Sequence, residues 1–254
     1  MNIIKIVILA TVQGVTEFLP ISSSGHLVLF GKYLEPAGNP VLLSAFLHFG
    51  TLIAVVVVYW KDIWHILIKN RIMIVYLIVA TIPAVIATLF WKDWFEGMFA
   101  KPYIVGYLLI LTSIILLAGY IADKKINHKK SLGWSQSIII GIAQSVAILP
   151  GISRSGSTIS TGLMCGLDRE KSARFAFLMA IPAITGGLML EIKDTLELPA
   201  KQGITPIYII GMVVSAIVGY IALKLLLAVL QRGNFIWFSF YCFIIGICAI
   251  IFMR

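Results

Sequence analysis

Gln13-Gly14-Val15-Thr16-Glu17-Phe18-Leu19-Pro20-Ile21-Ser22-Ser23-Ser24-Gly25-His26 is the stretch from which the fold can be read. Gln13 and Glu17 are four residues apart, so on a helix they share one face. Pro20 cannot extend that helix without removing a backbone hydrogen bond, so the chain should open where the three serines begin. Apolar sequence flanks the stretch on both sides. A carboxylate in a broken helix is costly in hydrocarbon and is seldom kept for stability alone.

The surrounding chain tells what medium it lives in. Of 254 residues, 60% are hydrophobic and 12% charged, and the mean hydropathy is +1.00. A soluble domain carries about 25% charged residues, so an all-α integral membrane protein is expected, and no residue alternation suggests a barrel. The net charge of +9 does not point to nucleic acid, because the bases sit in short loops between apolar spans, where they suit topology and anionic headgroups. Cys165, Cys242 and Cys248 lie in apolar segments without metal or disulfide spacing. The N-terminal run Met1 to Val12 is read as retained, since cleavage there would leave Gln13 to His26 as a ragged end.

A spanning helix needs about 20 apolar residues. Six stretches approach that length: Val41 to Trp60, Ile72 to Trp91, Tyr103 to Ala122, Phe175 to Leu190, Pro206 to Leu230 and Phe235 to Met253. Two regions, Ile3 to Leu34 and Trp134 to Leu167, are instead broken by polar, Pro- and Gly-containing tips. At about 1.5 Å per residue neither half of either crosses ~30 Å of hydrocarbon, so both are expected to be re-entrant helical hairpins.

The two regions also resemble each other. Gln13 and Gln144, Ile21 and Ile152, Ser22 and Ser153, Ser24 and Ser155, and Gly25 and Gly156 are all 131 positions apart (144 − 13). Pro20 and Pro150 fall one position out of step, and Phe46-Leu47 and Phe177-Leu178 keep the offset. One membrane domain over 1–254 with repeat halves of about 1–122 and 134–254 is expected. Basic loops (Lys61, Lys69, Arg71; Lys124, Lys125, Lys129, Lys130; Arg169, Lys171, Arg174) alternate with the mixed loops Lys92 to Lys101 and Glu191 to Lys201. Basic loops stay in the cytoplasm, which turns the two hairpins in opposite senses and makes the repeat inverted.

Of the eleven acidic residues, only Glu17 falls inside a membrane segment, and among the bases Arg154 stands at a hairpin tip. Lys224, near the end of its span, can snorkel. The plain alternative for Glu17 and Arg154 is a structural ion pair, but that leaves unexplained the hydroxyls Ser22, Ser23, Ser24, Ser153, Ser155, Ser157 and Thr158 beside Gly25, Gly151 and Gly156. Any one of these is read as a helix cap. Together, with two half-helix N-termini and a guanidinium, they describe a site for phosphate or diphosphate. Ser23 and His26 are three apart, within hydrogen-bonding reach on a helical start, and pair a weak nucleophile with a proton carrier. His48, His65 and His128 are read as satisfied helix residues. Gly151-Ile152-Ser153-Arg154-Ser155 misses G-x-S-x-G at its last position, and no phosphate-binding loop or zinc-protease motif occurs.

Gln13-Gly-Val-Thr-Glu17 resembles the (E/Q)xxxE element of bacterial undecaprenyl-diphosphate phosphatases of the bacitracin-resistance type, and Pro150-Gly-Ile-Ser-Arg-Ser-Gly-Ser-Thr158 resembles their PGxSRSxxT element at every fixed position. The resemblance extends over essentially the whole chain. It implies hydrolysis of undecaprenyl diphosphate to the monophosphate, which recycles the cell-wall lipid carrier in the bacterial inner membrane, with the site opening to the outer face. It also implies active-site positions at Glu17, Ser23, His26, Ser153, Arg154, Ser155 and Thr158. Glu17, Ser23, His26 and Arg154 are the expected catalytic group; Ser22, Ser24, Gly25, Ser153, Arg154, Ser155 and Thr158 the phosphate-binding group. A divalent cation (Mg or Ca) would find Glu17 and Gln13 as ligands, although Gln13 stands where many members carry Glu. Nucleophile identity stays open among Ser23, His26 and water. The expected partners are a polyprenyl diphosphate lipid and membrane lipids, and a homodimer is compatible with all of this. The alternative is a polyprenyl-phosphate transporter, because inverted repeats with broken helices also build carriers; a carrier has no need of a serine and histidine beside the clamp.

Overall fold

A computed structural model describes residues 3–34, 40–99, 101–126, 130–197 and 206–253, without side-chain detail for 31–34, 96 and 191–197. Every regular element among them is helical. In chain order these are α1 (Ile3–Phe18), α2 (Ser23–Leu34), α3 (Pro40–Val58), α4 (Trp60–Lys69), α5 (Arg71–Phe99), α6 (Pro102–Lys125), α7 (Trp134–Val146), α8 (Arg154–Met164), α9 (Arg169–Glu197), α10 (Pro206–Arg232) and α11 (Ile236–Phe252).

Among the described residues, five helices are long and apolar enough to cross a membrane: Pro40–Val58, Arg71–Phe95, Pro102–Lys125, Arg169–Leu190 and Pro206–Arg232. The protein is therefore a multi-pass membrane protein. The sixth expected span, Ile236–Phe252, is an apolar helix of 17 residues, which at 1.5 Å per residue rises about 25 Å, a little under a bilayer core. α1, α2, α7 and α8 have 16, 12, 13 and 11 residues and rise only about 24, 18, 20 and 17 Å.

Several segments expected as loops are helical, including Arg169 to Arg174 and residues 191–197 at the two ends of α9. The charged stretch after α3 forms α4, whose exposed Trp60, Trp64, Leu67 and Ile68 suit a helix lying in the headgroup layer. The stretch from Lys92 continues α5 beyond a break at Trp91 (φ −127°, ψ 25°). The break falls where the apolar run ends and charge begins, so the helix turns as it leaves hydrocarbon. The side chains of 191–205, together with His128 and Lys129, lie outside the described residues, as does any test of the loop charges there.

Small residues set the helix packing, as expected where lipid is as apolar as leucine. A Cβ on Gly50 of α3 would lie 2.3 Å from the Met212 carbonyl of α10, and one on Gly141 of α7 2.4 Å from the Ala80 carbonyl of α5. Gly106 and Gly246 bring α6 and α11 similarly close. α1 packs on α10 and α7 on α5. Phe18, Ile159, Leu163, Phe177, Leu223 and Phe235 form a buried core joining α1, α8, α9, α10 and the start of α11, with Phe18 edge-on to Phe177 at 5.9 Å. That core holds the polar tips of the two broken-helix pairs together.

Candidate functional site

Each tip is built the same way. After α1 the chain turns through Leu19 to Ser22, and the Ser22 hydroxyl accepts from the Gly25 N–H (3.2 Å). After α7 it turns through Ala147 to Ser153, and the Ser153 hydroxyl accepts from the Gly156 N–H (3.1 Å). The hydroxyl pairs Ser22–Ser24 (3.4 Å) and Ser153–Ser155 (3.2 Å) also correspond. Ser22 and Ser153 are thus N-caps, which occupies one first-turn N–H of each half-helix. Ser22 takes a left-handed conformation (φ 71°), uncommon for a residue with a Cβ and concentrated at functional sites.

The tips meet. A Cβ on Gly25 would stand 3.0 Å from the Gly151 Cα, and one on Gly156 3.2 Å from the Pro20 Cβ. Thr112 of α6 secures the second tip by accepting from the Ser153 N–H (3.0 Å) and donating to the Gly151 carbonyl (2.8 Å). Cys242 of α11 secures the first by contacting the Pro20 carbonyl (3.6 Å).

At this junction Glu17 becomes the hub. Its side chain is 5% exposed. Arg154 Nη2 donates to Oε1. Oε2 accepts from the Ser23 hydroxyl (2.7 Å) and from the Gln13 amide (3.0 Å). A helix residue from α1, one from α2 and one from α8 therefore converge on a single carboxylate. The Ser23 contact aligns a hydroxyl proton with an acceptor able to take it, the arrangement that activates a serine.

One expectation needs correcting, and two further side chains take contacts that the spacing did not predict. Ser23 and His26 do not bond to each other: Ser23 turns to Glu17, while the His26 ring bonds the Ser22 carbonyl through Nδ1 and the Tyr241 hydroxyl through Nε2, both at 2.8 Å. One helical turn carries their side chains to different neighbours. Thr158 is back-bonded to the Arg154 carbonyl (2.8 Å), so its hydroxyl braces the start of α8. His48, read from sequence as a satisfied helix residue, brings Nε2 to 4.0 Å from Glu17 Oε2. Its Nδ1 lies 3.0 Å from the Ser44 carbonyl. With that nitrogen donating, a neutral ring turns its free lone pair toward the carboxylate, and a protonated ring adds a second cation. No motif marks His48 or Tyr241 in the sequence; the offset shared by Phe46-Leu47 and Phe177-Leu178 was the one pointer toward this part of α3.

Several polar atoms around the hub are buried without a partner: Gln13 Oε1, Arg154 Nη1, both amide atoms of Gln144, and Ser157 Oγ. Such atoms cost free energy until something binds them. Two cavities flank the junction. One, of about 430 Å³, is lined by residues including Ser24, Leu27, Leu43, Ser44 and His48. The other, of about 340 Å³, lies among α5, α7, α9 and Arg154. For a divalent cation, Glu17 and the unpartnered Gln13 Oε1 are adjacent oxygen donors; among the described residues no group of three or more His, Cys, Asp or Glu side chains gathers. A hard cation could be held here only with further oxygens from substrate or water.

The sequence profile of the family described as bacitracin resistance protein BacA matches residues 6–248. A protein of Halothermothrix orenii is 41% identical over 257 residues, covering 99% of this chain and 98% of the relative. One from Rhodopirellula baltica is 43% identical, with 98% of each chain covered, and one from Moorella thermoacetica is 36% identical over the whole of both. All three relatives are named undecaprenyl-diphosphatase.

Proposed function

Because this chain belongs to the bacitracin resistance protein BacA family, we propose that it hydrolyses undecaprenyl diphosphate to undecaprenyl phosphate and inorganic phosphate, recycling the lipid carrier of cell-wall synthesis. The observation that carries the proposal is Glu17, which holds the hydroxyl of Ser23 on one oxygen and the guanidinium of Arg154 on the other.

Ser23 is the nucleophile. Glu17 takes its proton as Oγ attacks the terminal phosphorus, the bond from that phosphorus to the bridging oxygen breaks, and undecaprenyl phosphate departs with the electron pair. Water then cleaves the phosphoserine, with Glu17 now relaying the proton in the reverse sense. Arg154 neutralises charge spreading over the phosphoryl oxygens, the main catalytic task in phosphoryl transfer. Ser22, Ser24, Gly25, Ser153 and Ser155 shape the cradle, where small residues let phosphate approach the backbone. Both ring nitrogens of His26 are engaged, so its service as proton donor to the leaving group requires the Tyr241 contact to open. A Mg or Ca ion would be held by Glu17 and Gln13 Oε1 with diphosphate oxygens, and would supply charge neutralisation.

The finer architecture is part of the same proposal: two re-entrant hairpins, α1–α2 and α7–α8, in an inverted repeat with α11 as the sixth crossing, basic loops in the cytoplasm of a bacterial inner membrane, and a site facing outward. It is supported by the matching serine caps and by reciprocal packing, with α1 on α10 and α7 on α5. The relatives' names give a carrier no support. The decisive experiment is phosphate release from undecaprenyl diphosphate by purified protein. Release lost in Glu17→Ala and Arg154→Ala supports the hydrolase; absence of release, with lipid crossing vesicles instead, refutes it.

A further inference from the structure

The cavity of about 340 Å³ beside Arg154 has a polar end and an apolar body. Its walls are one face of α5, from Thr81 to Leu89, and the facing stretch of α9 from Pro182 to Leu190. The hydroxyls of Thr81 and Thr88 donate to their own helix, at the Leu77 and Ala84 carbonyls, so they offer no proton to a ligand. At the inner end stand Gln144, 3% exposed with both amide atoms unpartnered, and Arg154, whose Nη1 is likewise buried and unpartnered. Gln144 is also the counterpart of Gln13 in the second half of the chain. Gln13 has a partner in Glu17; Ile148, the residue four positions beyond Gln144, has no carboxylate to offer.

We propose that this cavity receives the lipid-side phosphate and the first isoprene units of the substrate, with Gln144 as a substrate-binding residue. The placement rests on the hydrolase assignment above. An amide and a guanidinium nitrogen supply N–H donors to the phosphate that stays on the lipid, while Gln144 Oε1 accepts from a phosphate hydroxyl or a water on it. During cleavage the bridging oxygen keeps the electron pair, and these donors face the charge it acquires. The apolar walls then continue the path of the prenyl chain. Cβ atoms built on Gly186 or Gly187 meet nothing within 4 Å, and Val85 and Leu89 are exposed, so the cavity opens sideways toward lipid between α5 and α9. The other cavity, lined by Ser24, Ser44 and His48, is left to the terminal phosphate and water. Arg154 thus separates two subsites, bonding Glu17 with Nη2 and leaving Nη1 for the far phosphate.

Two measurements test this. Gln144→Leu removes a buried amide that no protein group satisfies, so its Tm in detergent should be equal to or above that of the wild type. Its KM for an isoprenoid diphosphate should rise roughly tenfold or more, the usual loss for a hydrogen bond to a charged group. A lowered Tm, or an unchanged KM, overturns the role given to Gln144. A prenyl diphosphate bearing a photoreactive diazirine on its second isoprene unit should label residues 81–89 and 182–190 after irradiation. Label on Leu27, Val28 or Leu43 instead places the chain in the other cavity and overturns the proposal, while leaving hydrolysis intact. Labelling reads binding rather than turnover, so label between α5 and α9 without phosphate release would refute the hydrolase assignment and keep the placement.

Discussion

Exchanging both members of the Glu17–Arg154 pair separates a structural ion pair from a catalytic one. Arg154→Met alone strands a carboxylate that is 5% exposed. Breaking a buried pair this way costs about 3–5 kcal/mol. Two hydrogen bonds, from Ser23 and Gln13, remain on Oε2, and His48 stands 4.0 Å away, so the lower figure applies. At about 2–4 °C per kcal/mol for a chain of this size, Tm should fall by about 6–12 °C. The double variant Glu17→Gln, Arg154→Met has no charge left to strand. The amide that replaces the carboxylate can keep a contact with Ser23, and the methionine fills the space of the guanidinium stem. Replacement of a whole buried pair is commonly neutral or stabilising by about 1–4 kcal/mol. Its Tm should therefore return to the wild-type value or exceed it. Activity should not return: losing one preorganised charge-stabilising group costs about 10²–10³ in kcat, and the base is missing too. The assay is phosphate release from undecaprenyl diphosphate in micelles, paired with thermal unfolding of the same samples. A stable double variant within tenfold of wild-type kcat would show that the pair only holds the tips together, and the mechanism would be refuted.

Other perturbations probe the contacts that the fold adds. Tyr241→Phe keeps the ring stacked on His26 at 5.7 Å but removes the hydroxyl that occupies Nε2, so kcat should rise by up to about fivefold, the equivalent of roughly 1 kcal/mol, with Tm little changed; a fall in kcat would show that the contact serves catalysis rather than restraining His26. Gly25→Ala pushes a methyl to 3.0 Å from the Gly151 Cα, and parting the tips should cost about 1–3 kcal/mol of stability, read as a lower Tm together with reduced phosphate release. His48→Leu retains the volume on α3 but deletes the ring that stands 4.0 Å from Glu17, and kcat should fall with Tm little changed; an unchanged kcat would argue against its participation. Asp123→Ala should lower Tm without changing KM, because it leaves Arg169, which holds both carboxylate oxygens at 2.8–3.0 Å, facing a nearly buried position far along α6 from the tips.

Much of this protein is decided by properties that each short segment carries alone. The length of an apolar run against bilayer thickness distinguishes spanning from broken helices before any neighbour is known, and Pro20 with the following serines must interrupt a helix wherever it is placed. The paired motifs around Glu17 and Arg154 are likewise local, which is why the helix breaks at both tips were legible. What no segment carries is its partner. Tyr241 meets His26 across 215 positions and His48 approaches Glu17 only because α3, α11 and the two tips close around one core. The same local logic misread α4 and the end of α5 as loops, since charge marks where a helix leaves hydrocarbon but not whether it ends there. Ser23 chose Glu17 over His26 for the same reason: hydrogen bonds in a dry interior go to whichever acceptor packing brings within about 3 Å, and only the folded chain sets that distance.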